Sequence, residues 1–117
     1  MELTKLIAEQ ISRDRRRGFE VDFDSEAARQ TQIMRDVVGL IGEVGEFANL
    51  LKKVELAHTN RAYIGPTLSE ATPQLSEELA DIAIYLFRLS ILIGADLEKA
   101  ILDKIKINDL RYRDLER

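Results

Sequence analysis

The chain has 117 residues, of which 45% are hydrophobic and 32% are charged, as expected for a folded protein rather than a disordered one. Its net charge of −4 excludes a general electrostatic attraction to nucleic acid polymers or to an anionic membrane surface. It contains no cysteine, which excludes disulfides, zinc–thiolate sites and thiol chemistry. The length predicts a single domain over residues 1–117.

The first predicted helix runs from Leu3 to Arg16, with its apolar residues on one stripe. A run of arginines and then Gly18 end it, since cations suit a helix C-terminus. This segment lacks the long apolar core of a secretory signal, and with the absence of cysteine it predicts a cytoplasmic protein. A connection from Gly18 to Asp24 follows.

The second predicted helix begins at Asp24 or Ser25, either of which can cap it, and runs to about Glu55. Its apolar residues recur with the helical period. Three glycines lie inside it at steps of three: Gly39, Gly42 and Gly45. Because each glycine lowers helix propensity, each indicates the close approach of another backbone or of a ligand.

The composition of His58–Thr72 predicts a long loop, and the third helix is predicted to begin around Pro73 and to end near Gly94. The fourth predicted helix has Asp96 as its N-cap and continues to about Tyr112. The fold class is therefore all-α, a bundle of four to five helices.

The second half of the third predicted helix, from Ile82 to Ile93, is apolar nearly all round. Arg88 interrupts this run, which is also too short to span a bilayer, so no membrane partner is expected. A small monomer rarely exposes such a face. The pattern therefore predicts that this helix packs on more than one side, most simply across the interface of a homodimer.

Four acidic residues form two pairs with a spacing of three: Glu43 with Glu46, and Glu78 with Asp81. This spacing puts both members of a pair on one helix face, about one turn apart. Both pairs lie in apolar segments, where carboxylates are rarely buried without a partner. Four carboxylates between packed helices would repel one another unless they shared protons or bound cations. The pattern predicts a cage for Mg²⁺, or for Mn²⁺; the alternative is a set of exposed acids.

A second group lies on the C-terminal helix, where Lys104, Asn108 and Arg111 share one face. Lysine and arginine bind phosphate oxygens, although a solvated face near the C-terminus is the alternative interpretation. Lys53, on the second helix, is a further candidate for binding substrate. A metal cage beside cationic donors predicts a polyphosphate ligand.

The stretch GEVGE at Gly42–Glu46, followed by EELADIAIYL at Glu77–Leu86, resembles the EXXE…EXXD signature of the MazG-like all-α nucleoside triphosphate pyrophosphohydrolases. The closing stretch KIKINDLRY resembles that family's C-terminal element K-x-x-x-N-x-x-(K/R)-Y. The resemblance covers roughly Ile33–Tyr112. It implies a MazG-like bundle whose helices pack into a dimeric core, assembled as a homodimer or a homotetramer.

The resemblance also implies an activity, namely the cleavage of a nucleoside triphosphate between its α and β phosphates as a house-cleaning reaction on the nucleotide pool. The implied Mg²⁺ ligands are Glu43, Glu46, Glu78 and Asp81. Glu46, or else Glu43, would also orient or deprotonate the attacking water. Tyr85 would lie beside the sugar. The residues implied to contact phosphates or the neighbouring site of the oligomer are Lys104, Asn108, Arg111 and Tyr112.

This chain departs from the family pattern in two places. Many members have an acid where this chain has Gly42, and several dCTP-directed members use a tryptophan against the base, whereas this chain has no tryptophan. Phe19 and Phe23 are candidates for stacking on a base, or for the core. The base preference is therefore open.

Two alternatives to the house-cleaning activity follow from the same residues. One is a non-catalytic helical module that oligomerises or binds a cation without turnover. The other is the processing of a larger substrate, as in phosphoribosyl-ATP pyrophosphohydrolase, which shares the all-α chemistry.

Overall fold

A computed structural model describes residues 2–117, and the described chain is all-α, as predicted. Its four α-helices are α1 (Glu2–Arg17), α2 (Glu26–Thr59), α3 (Leu68–Leu92) and α4 (Leu97–Arg111), followed by a short 3-10 turn at Arg113–Leu115. No helix within residues 2–117 combines the length and apolar character that crossing a membrane requires.

Helices α2 and α3 form the main packing unit of the molecule. Ser25 caps α2, as predicted, with its hydroxyl accepting a hydrogen bond from the amide of Ala28 at 3.1 Å. The two helices run antiparallel, because Asp36 pairs with Arg88 whereas Glu43, later on α2, lies beside Glu78, earlier on α3. Acids in the middle of α2 are therefore brought beside acids in the middle of α3.

The prediction for the start of α3 was wrong, because the helix begins at Leu68 and Pro73 lies inside it. Thr67 is the N-cap, and its hydroxyl accepts from the amide of Glu70 while the Glu70 carboxylate accepts from the amide of Thr67. This reciprocal capping box satisfies two amides that the first helical turn would leave unpaired. The connection from α2 therefore spans residues 60–67 and is shorter than the predicted loop.

The turn between α3 and α4 follows the sequence prediction closely. Gly94 has a φ of +74°, a conformation that glycine adopts without steric cost, and its amide donates to the carbonyl of Ile91. The amide of Ala95 donates to the carbonyl of Ser90 at 2.8 Å, which completes the helix end. Asp96 then caps α4 by accepting from the amide of Lys99.

The apolar core lies where α1 packs on the end of α3. Its buried members are Ile7, Ile11, Val21 and Leu92. Phe23, in the connection after α1, packs against this group. By contrast, α4 has no buried residue and touches the rest of the chain mainly through α1, where Thr4 donates a hydrogen bond to Glu98.

Candidate functional site

Three of the four predicted carboxylates meet where α2 packs on α3. Glu43 and Glu46 lie one turn apart on α2, and Glu78 comes from the antiparallel α3. One oxygen from each of these residues lies within 4.8 Å of the others. This spacing allows a single cation to touch all three carboxylates.

The environment of these carboxylates tests whether a cation fits among them. Glu43 and Glu78 are half-buried, and each has one Oε2 atom that is buried without a hydrogen-bond partner. A buried polar atom without a partner is costly, and a hard divalent cation would satisfy both oxygens at once. Glu46 is exposed to solvent, so it leaves the site accessible. The donor set therefore fits Mg²⁺ or Mn²⁺.

The electrostatics of Glu78 show the same mutual repulsion among the acids. Desolvation raises the pKa of its carboxyl group, and the neighbouring Glu43 and Glu46 raise it further, to about 7. Glu78 therefore carries a proton over much of the pH range below 7 when no cation is bound. A divalent cation would displace that proton, because the carboxylate must be ionised to bind metal.

The fourth predicted ligand, Asp81, is not part of this three-residue group. It is exposed and lines the cavity beside Glu43, one turn along α3 from Glu78. Its role as a metal ligand stays a prediction.

A cavity of about 610 Å³ opens directly beside the acids, between α1, α2 and α3. Its acidic end carries Glu43 and Asp81. The rest of its wall is made of polar, charged and aromatic side chains together with the loop after α1, and it includes Gln10, Asp14, Arg17, Phe19, Gln32, Arg35, Asp36, Tyr85 and Arg88. A volume of this size accommodates a small organic ligand with the acids at one end.

Two aromatic side chains face this cavity. Tyr85 is half-buried and lies one turn along α3 from Asp81, and its place beside a sugar stays a prediction. Phe19 has 57% of its surface exposed, although it lines the cavity. Phe23 instead packs on the core, so of the two phenylalanines only Phe19 is available to stack on a ligand in this cavity.

The predicted phosphate-binding residues lie away from the cavity in a single chain. Lys53 is exposed on α2 and does not line it. The four C-terminal residues do not line it either, and they are Lys104, Asn108, Arg111 and Tyr112. The guanidinium of Arg111 lies over the ring of Tyr112, 5.9 Å from its centroid. Their proposed contacts with substrate stay predictions.

The sequence did not indicate the buried ion cluster that forms the far wall of the cavity. Arg88 donates to Asp36 at 2.7 Å and to Asp14 at 3.1 Å, and all three side chains are buried. The same guanidinium donates to the carbonyl of Glu20 at 2.9 Å. The partners of Arg88 lie 52 and 74 residues away along the chain, and the only signal in the sequence was the single cation in the apolar run.

Two curated proteins are similar to this chain. One is dCTP pyrophosphatase 1 of Rattus norvegicus, 36% identical over 76 residues, and the other is dCTP pyrophosphatase 1 of Homo sapiens, 37% identical over 76 residues. Each match covers 65% of this chain and 43% of the relative, so the chain spans less than half the length of these proteins. No family model matches the chain, and no solved structure matches it significantly.

Proposed function

We propose that this chain, whose similarity to dCTP pyrophosphatase 1 is consistent with the resemblance to the MazG-like family, is a Mg²⁺-dependent nucleoside triphosphate pyrophosphohydrolase. It would cleave a (d)NTP to the monophosphate and pyrophosphate, with Mn²⁺ as an alternative to Mg²⁺. The single observation that carries the proposal is the meeting of Glu43, Glu46 and Glu78 beside a cavity that Glu43 lines and that is large enough for a nucleoside.

Each residue of the site has a stated role in this proposal. Glu43 and Glu78, whose buried oxygens lack partners, would hold the cation, and Asp81 would add a ligand on the side of the cavity. When bound, Mg²⁺ supplies positive charge that neutralises the phosphates and makes a nearby water more acidic. Glu46, the exposed member, accepts a proton from the attacking water. The water oxygen bonds to phosphorus as the bond between the α and β phosphates breaks, and pyrophosphate leaves.

The cavity supports a position for the nucleoside. With the triphosphate at the acids, the sugar reaches Tyr85 and the base reaches Phe19, whose exposed ring offers a face for stacking. The wall beyond them offers both hydrogen-bond donors and acceptors, so it does not single out one base. The dCTP named in both relatives is therefore the first substrate to test.

The shape of one chain supports assembly into a homodimer or homotetramer. The radius of gyration is 18.3 Å, whereas a compact chain of this length has a value of about 13 Å. Three apolar side chains on α4 are half or more exposed, namely Ile105 at 50%, Ile107 at 53% and Leu110 at 68%. A second copy would cover such surface and would bring its own Lys104, Asn108 and Arg111 toward a neighbouring site. A cytoplasmic location is part of the same proposal.

A pyrophosphate-release screen tests the activity. The purified protein is assayed with the four dNTPs, the four NTPs and phosphoribosyl-ATP, in Mg²⁺ and in EDTA. We expect Mg²⁺-dependent release from at least one dNTP, and Glu46→Gln should lower turnover by about 10²- to 10⁴-fold while the helical circular dichroism is retained. Glu55→Gln, an exposed acid on the same helix, should leave turnover unchanged.

Three outcomes would contradict the proposal or one of its assignments. Stabilisation by Mg²⁺ with no release from any nucleotide would leave a non-catalytic cation-binding module. Release from phosphoribosyl-ATP alone would indicate the larger substrate instead. Unchanged turnover in Glu46→Gln would show that the assignment of Glu46 is wrong.

A further inference from the structure

The first of the three glycines in α2 lies directly under a ring that lines the cavity. A Cβ atom added to Gly39 would lie 2.5 Å from both Cζ and Oη of Tyr85, and 2.6 Å from its Cε1. Carbon atoms that are not bonded do not approach this closely, since their optimal separation is about 3.5–4.0 Å. The ring of Tyr85 therefore rests against the backbone of α2, where any other residue would displace it.

This contact distinguishes Gly39 from the other two glycines of the same repeat. A Cβ atom on Gly42 or on Gly45 would meet no atom within 4 Å, leaving aside each glycine's own neighbours. Within a single chain, the close approach predicted for all three glycines is thus found at Gly39 and not at Gly42 or Gly45. The substitution of this residue has a steric consequence that the same substitution at Gly42 does not have.

The contact lies next to the site on both helices. Gly39 precedes Glu43 by four residues on α2, and Tyr85 follows Asp81 by four residues on α3. Residues four apart are neighbours on a helix face. The ring of Tyr85 is therefore fixed one turn from a carboxylate on each helix, and it forms the part of the cavity wall next to Glu43 and Asp81.

We infer that Gly39 is a positioning residue that sets, through Tyr85, the width of the cavity where the nucleoside would bind. This inference rests on the proposed nucleotide hydrolysis. The missing side chain lets the ring lie against α2 and leaves the space above it for the sugar. With alanine at position 39, the ring must move by about 1 Å to restore an ordinary contact. A shift of this size at a substrate-positioning group is enough to lower catalytic efficiency by as much as about 100-fold.

A double-mutant cycle tests the inference. Gly39→Ala should raise KM for the preferred nucleotide by about tenfold, and the same change should have no effect in a Tyr85→Ala background, where there is no ring to displace. We expect Mn²⁺ to raise the melting temperature of the wild-type protein. Gly39→Ala should show the same rise, since the carboxylates are untouched. An equal effect of Gly39→Ala in both backgrounds would overturn the inference, as would an unchanged KM.

A spectroscopic measurement reads the ring position without activity. The chain has three tyrosines, so protein labelled with 3-fluorotyrosine should give three fluorine resonances. Tyr85→Phe assigns one of them. Gly39→Ala should shift that resonance, whereas Gly42→Ala, which makes the same gain in helix propensity without a contact, should not. A resonance that does not move in Gly39→Ala would overturn the inference.

The failure of the proposed function can be told apart from the failure of this inference. The wild-type protein and Gly39→Ala are titrated with the α,β-methylene analogues of the four dNTPs, which resist cleavage between these phosphates. Perturbation of the Tyr85 resonance by at least one analogue, with weaker affinity in Gly39→Ala, supports the pocket even if no nucleotide is hydrolysed. No perturbation by any analogue would overturn the inference even if pyrophosphate is released.

Discussion

The ion cluster around Arg88 contains the buried charged side chains of the described chain. Its guanidinium joins Asp14 of α1, Asp36 of α2 and the carbonyl of Glu20, so three segments meet on one side chain of α3. A buried charge is tolerated only when it is paired and hydrogen-bonded. Gln32 donates to Asp36 at 2.8 Å, which satisfies a further oxygen of the cluster.

Removal of Arg88 should therefore destabilise the fold strongly. Arg88→Met keeps most of the side-chain volume but leaves Asp14 and Asp36 buried without their cation, which costs about 3–5 kcal/mol in comparable buried pairs. Urea denaturation should show this loss. Lys99→Met breaks the exposed pair with Asp103 and should leave the urea midpoint almost unchanged, because solvent screens exposed ion pairs. Similar midpoints for the two variants would contradict the importance of the buried cluster.

The raised pKa of Glu78 predicts how stability depends on pH. Its pKa in the folded protein is about 7, above the ordinary carboxyl value of 4.5, so the folded state binds more protons than the unfolded state between these values. The contribution of this group is fully present below pH 4.5 and is lost as the pH rises through 7. The melting temperature in EDTA should therefore fall over this window.

Saturating Mg²⁺ or Mn²⁺ should raise the melting temperature most above pH 7, because the ionised carboxylates bind the cation and no proton needs to leave. Glu78→Gln removes the titrating group, and its melting temperature in EDTA should change less between pH 5 and pH 8. A melting curve that does not respond to millimolar metal at pH 8 would argue against a preformed site.

At the scale of the helices, the sequence was most informative where a single residue determines the local conformation. Asp96 was predicted to cap α4, and its side chain accepts from the amide of Lys99. The predicted start of α3 is wrong because the composition of His58–Thr72 is loop-like and Pro73 suits a first helical turn, whereas the Thr67–Glu70 pair begins the helix. That pair is a capping box, which marks a helix start more specifically than composition does.

The capping box should make a measurable contribution to stability. Thr67→Ala removes the acceptor for the amide of Glu70 and should lower the free energy of unfolding by about 1 kcal/mol. Thr72→Ala is the matched control, because its hydroxyl only donates to the carbonyl of Leu68 within the helix. Denaturation curves of the two variants should differ in midpoint, and equal midpoints would contradict the role of Thr67.

The candidate site was predictable only in part, for a physical reason. Spacing along one helix places Glu43 beside Glu46, but the alignment of α2 against α3 decides which acid of α3 joins them. That alignment depends on contacts between distant residues, such as Asp36 with Arg88 and Gly39 with Tyr85. These contacts leave no local pattern in the sequence, so Asp81 was predicted beside the other three acids but lies outside their group.

At the scale of the whole molecule, one chain buries little of its apolar surface. Among residues 2–117 six hydrophobic residues are buried, and the most completely enclosed are Leu92 and Ile11, with 1% and 2% of their surface exposed. The longest dimension is 56 Å and the shortest is 25 Å, which is elongated for 117 residues. With so small a core, we expect the chain to gain much of its stability from surface that the proposed second copy would cover.

Assembly should therefore be detectable and should depend on α4. Light scattering should give a mass of at least twice the 13.3 kDa of one chain. Ile105→Glu places a charge on the exposed apolar side of α4 and should weaken the assembly and lower the melting temperature. Lys106→Glu, at the neighbouring exposed position, is the control. A monomeric wild-type protein at micromolar concentration would contradict the predicted interface.

The antiparallel arrangement of α2 and α3 separates the turn that joins them from the acids. Thr59 lies 13 positions after Glu46, which at 1.5 Å per residue places the end of α2 about 20 Å from the carboxylates. The connection at residues 60–67 is thus the place where extra sequence can be added at least cost to the chemistry. A peptide tag or a small reporter domain inserted after Arg61 should leave metal affinity intact, and so the hairpin can be labelled or tethered for single-molecule work at a point remote from its ligand.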